Sequence, residues 1–456
     1  MRSRTIAPFT CLAPIVGVLL LFARAANAQR PLTGFWASDG YGQVFEFTAD
    51  SLKSFEITKL SCIATEVFVA APTPQGARAA YVEPGSPIVV AIKTDGDDRA
   101  RMDVGFAASE MVIHRIPRKP PVCDAATPNT PRSNFDVFAA TFAEHYPFFA
   151  ERKVNWGAVV DSNRAKVTDA TTPEALFNIL GGMIAPMRDA HTSIAARSIG
   201  QSLRPVRQTP SFVPSAQRAA AYALVNGYFT TALRAFCEGQ LEFGMLASDI
   251  GYLRIKSFSR YSKVGTFASD TAELGAALDS VFAGAASWKG FVIDVRLNGG
   301  GADPLGLIIA GRLTATNYTA YSKQARNDPT DPTQWTTPQP SLVRATSRPG
   351  FRGPVVELIG VQSVSAAETF TQAMLNRPVK VTKVGETTQG VFSDVLGRRL
   401  PNGWTFGLPN ERFVTNGKTY DLVGIAPDLA VESLTPAARA TGKDAGIEKA
   451  LELLRR

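Results

Sequence analysis

Histidine is scarce in this chain and cysteine little more common: three of the one and four of the other in 456 residues. His114, His145 and His191 lie far apart, and none sits among cysteines. There is no CxxC and no HExxH, so the ligand spacing of a zinc or related metal site is missing. No cofactor is expected. A phosphate-cradling G-x-x-x-x-G-K-[ST] loop is absent as well. Basic runs interleaved with aromatics are absent, which argues against nucleic acid as a partner. No apolar run after residue 28 is long enough to span a bilayer, which argues against an integral membrane protein.

What the N-terminus does contain is Arg2 and Arg4, a short apolar core from Ala13 to Phe22, and Ala26-Asn27-Ala28 before Gln29. Residues 1–28 thus read as a secretory signal, and the mature chain is expected to be periplasmic or secreted. Removing them takes away Arg2, Arg4 and Arg24 and no acid, so the net charge falls from +8 to +5, spread along the chain. Three cysteines remain. In an oxidising compartment one pair can bridge, and Cys62–Cys123 is the expected pair because both flank the N-terminal region. Cys237 is then a free thiol.

With 45% hydrophobic and 19% charged residues, the composition is that of an ordinary globular protein large enough for two or three domains. Residues 29–120 alternate short β-like runs, such as Gln43–Phe47, with Gly, Asp and Pro, and predict a small β module. Residues 121–132 read as a linker, since Pro117 to Pro131 holds five of the 30 prolines. Residues 133–195 turn to helical period, with Phe135, Phe138, Phe142 and Tyr146 on one helix, Trp156 on a second, and Thr172-Pro173-Glu174 starting a third. Residues 196–456 are read as an α/β domain, poorly patterned up to 245. Strands are expected at 250–255, 290–296, 355–361 and 379–384, and helices at 271–283, 304–313 and 448–454.

Chemistry concentrates at two turns. Ser365 follows the Val355–Val361 apolar run and precedes a helix. A strand-to-helix turn projects the side chain and sets free N–H groups and the positive end of the helix dipole beside it. A nucleophilic serine needs this, because an oxyanion forms next to it. Ser365 and Glu368 also have the S-x-x-E spacing of a capping box, which needs no chemistry. The second turn is Asn298-Gly299-Gly300-Gly301, where glycines let N–H groups approach a ligand closely. Of the histidines, His114 reads as structural or exposed and His145 as a packing residue. His191, in the turn Arg188-Asp189-Ala190-His191-Thr192, is the best-placed base for Ser365.

Taken in order, Asp294-x-Arg296-x-Asn298-x-Gly300, Val364-Ser365-Ala366-Ala367-Glu368, Gly385-Glu386-Thr387-Thr388-Gln389-Gly390 and Gly424-Ile425-Ala426-Pro427-Asp428 resemble the C-terminal-processing (tail-specific) serine peptidase family. The segment Met187 to Thr192 resembles the branch of the tricorn core protease and interphotoreceptor retinoid-binding protein. The resemblance spans roughly residues 133–435. It implies a crotonase/ClpP-like catalytic domain, Ser365 as nucleophile and His191 as general base. It further implies an oxyanion hole from Gly299 or Gly300 with Ala366, and Asp421 as the acid that completes a Ser-His-acid triad. Three positions depart from the family pattern. Val391 stands where many members carry the lysine of a Ser-Lys dyad. Ala190 replaces a serine before the histidine, and Asp421 is one methylene shorter than the glutamate of the tricorn core, which makes Asp189 a competing partner for His191. The poorly patterned segment is too short for the family's peptide-binding PDZ module.

The resulting expectation is a serine endopeptidase acting on polypeptide through an acyl-enzyme. Two alternatives stand beside it: a non-catalytic binder of an apolar ligand, and a hydrolase of non-peptide acyl substrates.

Overall fold

The computed structural model describes residues 30–86 and 88–455; the segment read as a secretory signal lies outside them. Among the described residues no helix is long and apolar enough to cross a membrane. From residue 32 onward the chain forms one compact unit.

The N-terminal β module is a closed barrel of eight strands, from Gly34–Ser38 to Met111–Ile116. Each strand pairs antiparallel with the next, and the first closes on the last with Trp36 opposite Arg115. Closure leaves no unpaired edge. Trp36, Phe45, Phe47, Leu52, Val90 and Ile113 fill the interior. A Cys62–Cys123 disulfide ties the Ser61–Ala71 strand to the Pro-rich stretch that follows the barrel, and Cys237 is a buried free thiol. The first helix starts inside that stretch, at Pro131: Thr130 Oγ1 accepts the Ser133 N–H at 3.1 Å, and proline suits a first helical position.

Helices Pro131–His145, Trp156–Arg164 and Pro173–Ile184 pack around Phe138, Phe142, Trp156 and Leu180. Their core also takes in Leu396, Trp404 and Phe406 from a hairpin of the strands Val395–Arg399 and Thr405–Pro409. The helical segment therefore shares its hydrophobic core with a hairpin far along the chain. The strand after it, Ser193–Ala196, pairs with that hairpin, Ile194 opposite Phe406.

The central sheet has seven strands. Its order is Arg234–Phe236, Leu241–Ala247, Ile250–Ile255, Gly290–Asp294, Val355–Ile359, Val381–Gly385 and Leu429–Ala430. From Ile250 onward the pairing is parallel, with Leu253 opposite Ile293 and Ile293 opposite Glu357. The three strands at its centre are buried along their length, which is why they read as largely apolar runs with one charged residue in each. A second sheet was not foreseen. Strands Gln339–Val343, Tyr318–Ala325, Glu411–Thr415 and Lys418–Thr419 form it in that order. It carries buried Lys323 and Glu411, which break the apolar alternation that marks a strand.

Candidate active site

Ser365 sits between the Val355–Ile359 strand and the helix Ala366–Leu375, with φ +57° and ψ −120°. A non-glycine residue avoids this region, so the surrounding contacts must hold it there. They come from both sides. Ser363 Oγ donates to the Val295 carbonyl at 2.8 Å and accepts the Gly360 N–H at 3.1 Å. The Val364 N–H donates to the Asn298 carbonyl at 3.0 Å. On the helix side, the Glu368 carboxylate accepts N–H groups from Gly390 at 2.6 Å, Val391 at 2.9 Å and Ser365 at 3.3 Å. Glu368 thus does reach back to its cap residue as the S-x-x-E spacing predicts, and it also fixes the glycine-threonine segment against the turn. Burial pushes this carboxyl up to about 7, against the hydrogen bonds from Thr388 and the backbone.

The glycine loop abuts Ser365 directly. A Cβ on Gly300 would lie 2.8 Å from Ser365 Cβ and from the Val364 carbonyl oxygen, and Gly300 has φ +97°. Asn298, fully buried, shapes the loop: its Nδ2 donates to the Ile255 carbonyl at 3.0 Å and its Oδ1 accepts the Gly300 N–H at 2.8 Å. Of the two oxyanion donors read from the sequence, Gly300 therefore has its N–H occupied. Among the described residues, the Gly299 and Ala366 N–H groups have no hydrogen-bond partner.

The other sequence motifs close around this turn. Thr388 Oγ1 accepts the Ile425 N–H at 2.8 Å, and the Leu422 N–H donates to the Gly390 carbonyl at 2.7 Å. Asp294 and Arg296 form a buried pair at 2.6 Å, and Arg296 continues to Asp444 at 2.8 Å, which caps the final helix Ala445–Leu454. These two are structural. Lys383, on the central sheet, is paired with Asp428 at 2.9 Å.

His191 follows a left-handed Arg188 and is buried. Asp189 Oδ1 accepts the His191 backbone N–H at 2.9 Å, while Oδ2 takes the Tyr146 hydroxyl at 3.0 Å and Arg152 at 3.1 Å. Asp189 thus fixes the loop that carries the ring. Burial holds the imidazole below its usual 6.5 and outweighs the raising influence of Asp189, Asp394 and the Ser393 backbone. Burial thus favours the neutral ring, the state a general base requires. Its Nδ1 is buried with no partner among the described residues.

Asp421 is also buried. Its carboxylate accepts the Thr419 hydroxyl at 2.6 Å and the Phe392 N–H at 3.3 Å, and burial pushes it up to about 7. The structure shows no hydrogen bond from Asp421 to His191. The segment Gly390 to Ser393 nonetheless touches everything: Glu368 through Gly390 and Val391, Asp421 through Phe392, and His191 through Ser393. The other histidines stand apart. His114 Nδ1 lies 2.8 Å from Asp39 on the barrel, and His145 is buried in the first helix.

Sequence reasoning missed the polar floor beside Ser393. Ser393 Oγ accepts the N–H groups of Asn410 at 3.1 Å and Glu411 at 3.2 Å. Asp394 donates its N–H to Glu411 at 2.9 Å and pairs with Lys323. The barrel joins in through the Tyr41 hydroxyl, which donates to Glu411 at 2.6 Å. No spacing in the sequence links Tyr41, Lys323, Asp394 and Glu411, because each comes from a separate element.

Residues 249–431 match the model of peptidase family S41. The chain is similar in structure to a putative peptidase from Parabacteroides merdae, at 28% identity and a TM-score of 0.62, over 72% of this chain and 98% of that one. It also shares its fold with mature CPAF, solved with lactacystin, at 11% identity and a TM-score of 0.54, over 72% of this chain and 97% of that one. No curated protein matches it. Residues 249–431 are thus similar to the peptidase family S41 domain, and the chain is a peptidase of the serine type.

Proposed function

We propose that this chain is a serine endopeptidase whose nucleophile is Ser365 and whose base is His191. The observation that carries the reading is the strained Ser365 turn, set against a glycine loop and a helix N-terminus with two free N–H groups. A passive binder of apolar ligands has no use for a non-glycine residue in that conformation.

In the first step the Ser365 hydroxyl proton passes to His191 as Oγ bonds to the peptide carbonyl carbon. The Gly299 and Ala366 N–H groups receive the oxyanion. The C–N bond then breaks, His191 protonates the leaving amine, and an ester remains on Ser365. Water, deprotonated by His191, attacks that ester and frees the new carboxyl terminus and the serine. The orphaned Nδ1 of His191 is the atom left for an acid to orient. Catalytic hydrogen bonds commonly tighten only when substrate arrives. Asp421, one backbone hydrogen bond from the segment beside the ring, is the acid we assign to it. The parallel strands with intervening helices fit a crotonase/ClpP-like layering. The Cys62–Cys123 disulfide supports an oxidising, periplasmic or secreted location.

The test is a fluorophosphonate probe on the purified chain, with the adduct mapped by mass spectrometry. Labelling is expected at Ser365, absent in Ser365→Ala and slowed at least ~10³-fold in His191→Ala. Folded wild-type protein that takes no label overturns the reading. Hydrolysis of small esters without cleavage of any peptide would move it to the non-peptide acyl hydrolases.

A further inference from the structure

We propose that the N-terminal barrel supplies the substrate pocket: its open end, beside His191, takes apolar side chains from an internal, extended segment of polypeptide. This rests on the peptidase reading and goes beyond it, because it names what the enzyme selects and the part of the chain that selects it.

A cavity of about 300 Å³ lies where the barrel meets the catalytic part of the chain. The barrel gives it apolar walls, among them Phe68, Val90, Met102 and Phe106. Phe106, 42% exposed, stands at the rim of the cavity. The other wall is the strand Val395–Arg399, through Val395 to Gly397. That strand follows Ser393 and Asp394 directly, so the cavity opens next to the base. A Cβ added to Gly407 would lie 2.5 Å from Val395 Cγ1 and 3.7 Å from the His191 carbonyl oxygen, which places the cavity wall and the His191 backbone within one residue's width.

Three features select the occupant. The Val395–Arg399 strand has a sheet neighbour on one side only; Glu56 of the barrel accepts the Arg399 N–H at 2.8 Å, which leaves the edge from Val395 to Gly397 to pair with an extended chain. Val395 is 45% exposed, and a Cβ on Gly397 would meet nothing within 4 Å, so there is room over that face of the strand for a peptide's side chains. Alternate side chains of a peptide laid there would face the barrel mouth, since side chains alternate along a strand. The floor then excludes a chain end: Lys323 is paired with both Asp394 and Glu411, two carboxylates to one ammonium, and a terminal carboxylate would add to that excess. Apolar, extended and internal is therefore the chemistry that fits. Tyr41 and Arg398 hold the barrel in place over it, Arg398 through the Tyr41 carbonyl.

Binding is measured on Ser365→Ala, so the result does not depend on which residue is the nucleophile. The probe is a fluorescein-labelled decapeptide with leucine or phenylalanine at alternate positions and an amidated C-terminus, followed by anisotropy. It should bind at least ten times more tightly than the same peptide with serine at those positions, and no more weakly than its free-acid form. Adding Phe106→Lys, a change in an exposed loop, should weaken it at least tenfold, with an unchanged thermal melt as the control. If that variant fails to fold, Val395→Lys on the opposite wall makes the same test. Equal binding of apolar and serine peptides, or indifference to both wall substitutions, overturns the pocket. A tenfold preference for the free acid overturns the internal-segment assignment. A small apolar dye that saturates the cavity without competing against peptide would also overturn it. Each of these outcomes is independent of whether Ser365 takes the fluorophosphonate.

Discussion

The two halves of the candidate site are built in opposite ways. On the nucleophile side the supporting groups are engaged and, among the described residues, only the Gly299 and Ala366 N–H groups are left free: Glu368 holds three N–H groups, Asn298 ties its loop to the Ile255 carbonyl, and the glycine loop touches Ser365. On the base side a buried ring nitrogen has no partner, and the two acids nearest in sequence logic are occupied elsewhere, Asp189 by Tyr146 and Arg152, Asp421 by Thr419. The nucleophile side is built on one contiguous turn from Gly360 to Glu368, against which the Val295–Gly300 and Gly390–Val391 segments are hydrogen-bonded. The base side needs four distant segments to agree. A turn made locally can be rigid before substrate binds; a base assembled from distant pieces can be completed by it.

The strongest way to break this comparison is Asp421→Asn. If Asp421 orients His191 in the working site, the amide imposes the wrong hydrogen-bonding pattern on Nδ1, and kcat should fall about 10⁴-fold, as in other triads. A loss of tenfold or less would show that Asp421 only anchors Phe392 and that the base works without a carboxylate partner. The companion on the nucleophile side is Gly300→Ala. The added methyl has to occupy space 2.8 Å from Ser365 Cβ, at a positive φ. It should shift the loop that presents the Gly299 N–H, with a loss of about 10²–10³ in kcat, the usual effect of removing one oxyanion donor. Stability should fall by about 1–3 kcal/mol from the strain. An alanine variant with wild-type kcat would show that the loop is not part of the oxyanion hole.

The same contrast explains what the sequence disclosed. The Ser365 turn was legible because strand, serine and helix are contiguous, and Asn298 to Gly301 because consecutive glycines have few other uses. The central strands were legible because burial on both faces leaves largely apolar runs, with one charged residue in each. The sheet containing Tyr318–Ala325 and Glu411–Thr415 was not, since it turns Lys323 and Glu411 inward and spoils the alternation. The boundary of the helical segment also escaped: its aromatic face reads as self-contained, yet Phe406 and Trp404 complete it from far along the chain. Gly300 shows the limit within a motif. Its type and place were readable, but the Asn298 side chain that consumes its N–H was not.

The smallest effect separates the charge state of the site from that of the fold around it. Glu368, Asp421 and Glu357 are each pushed up to about 7 by burial, from ordinary values of 4.5, 3.8 and 4.5. The folded chain therefore keeps protons that the unfolded chain has released, and stability falls as pH rises through the interval up to about 7. His191 and His145 act oppositely, because both are held below 6.5 by burial, so the unfolded chain gains protons below that pH. Above pH 6.5 the unfolded histidines lose their remaining protons, and the three carboxyls outweigh the two histidines in the slope. The melting temperature should thus decline between pH 6.5 and 8. Glu357 isolates the term, since it lies on a central strand away from Ser365, with Oε1 accepting the Thr371 hydroxyl at 2.6 Å and Oε2 buried without a partner. Glu357→Gln should flatten the decline and raise the melting temperature at pH 8 by a few degrees, while fluorophosphonate labelling keeps its rate. An unchanged slope would mean that Glu357 does not titrate in this range, and that the carboxyls around Ser365 carry the whole pH dependence.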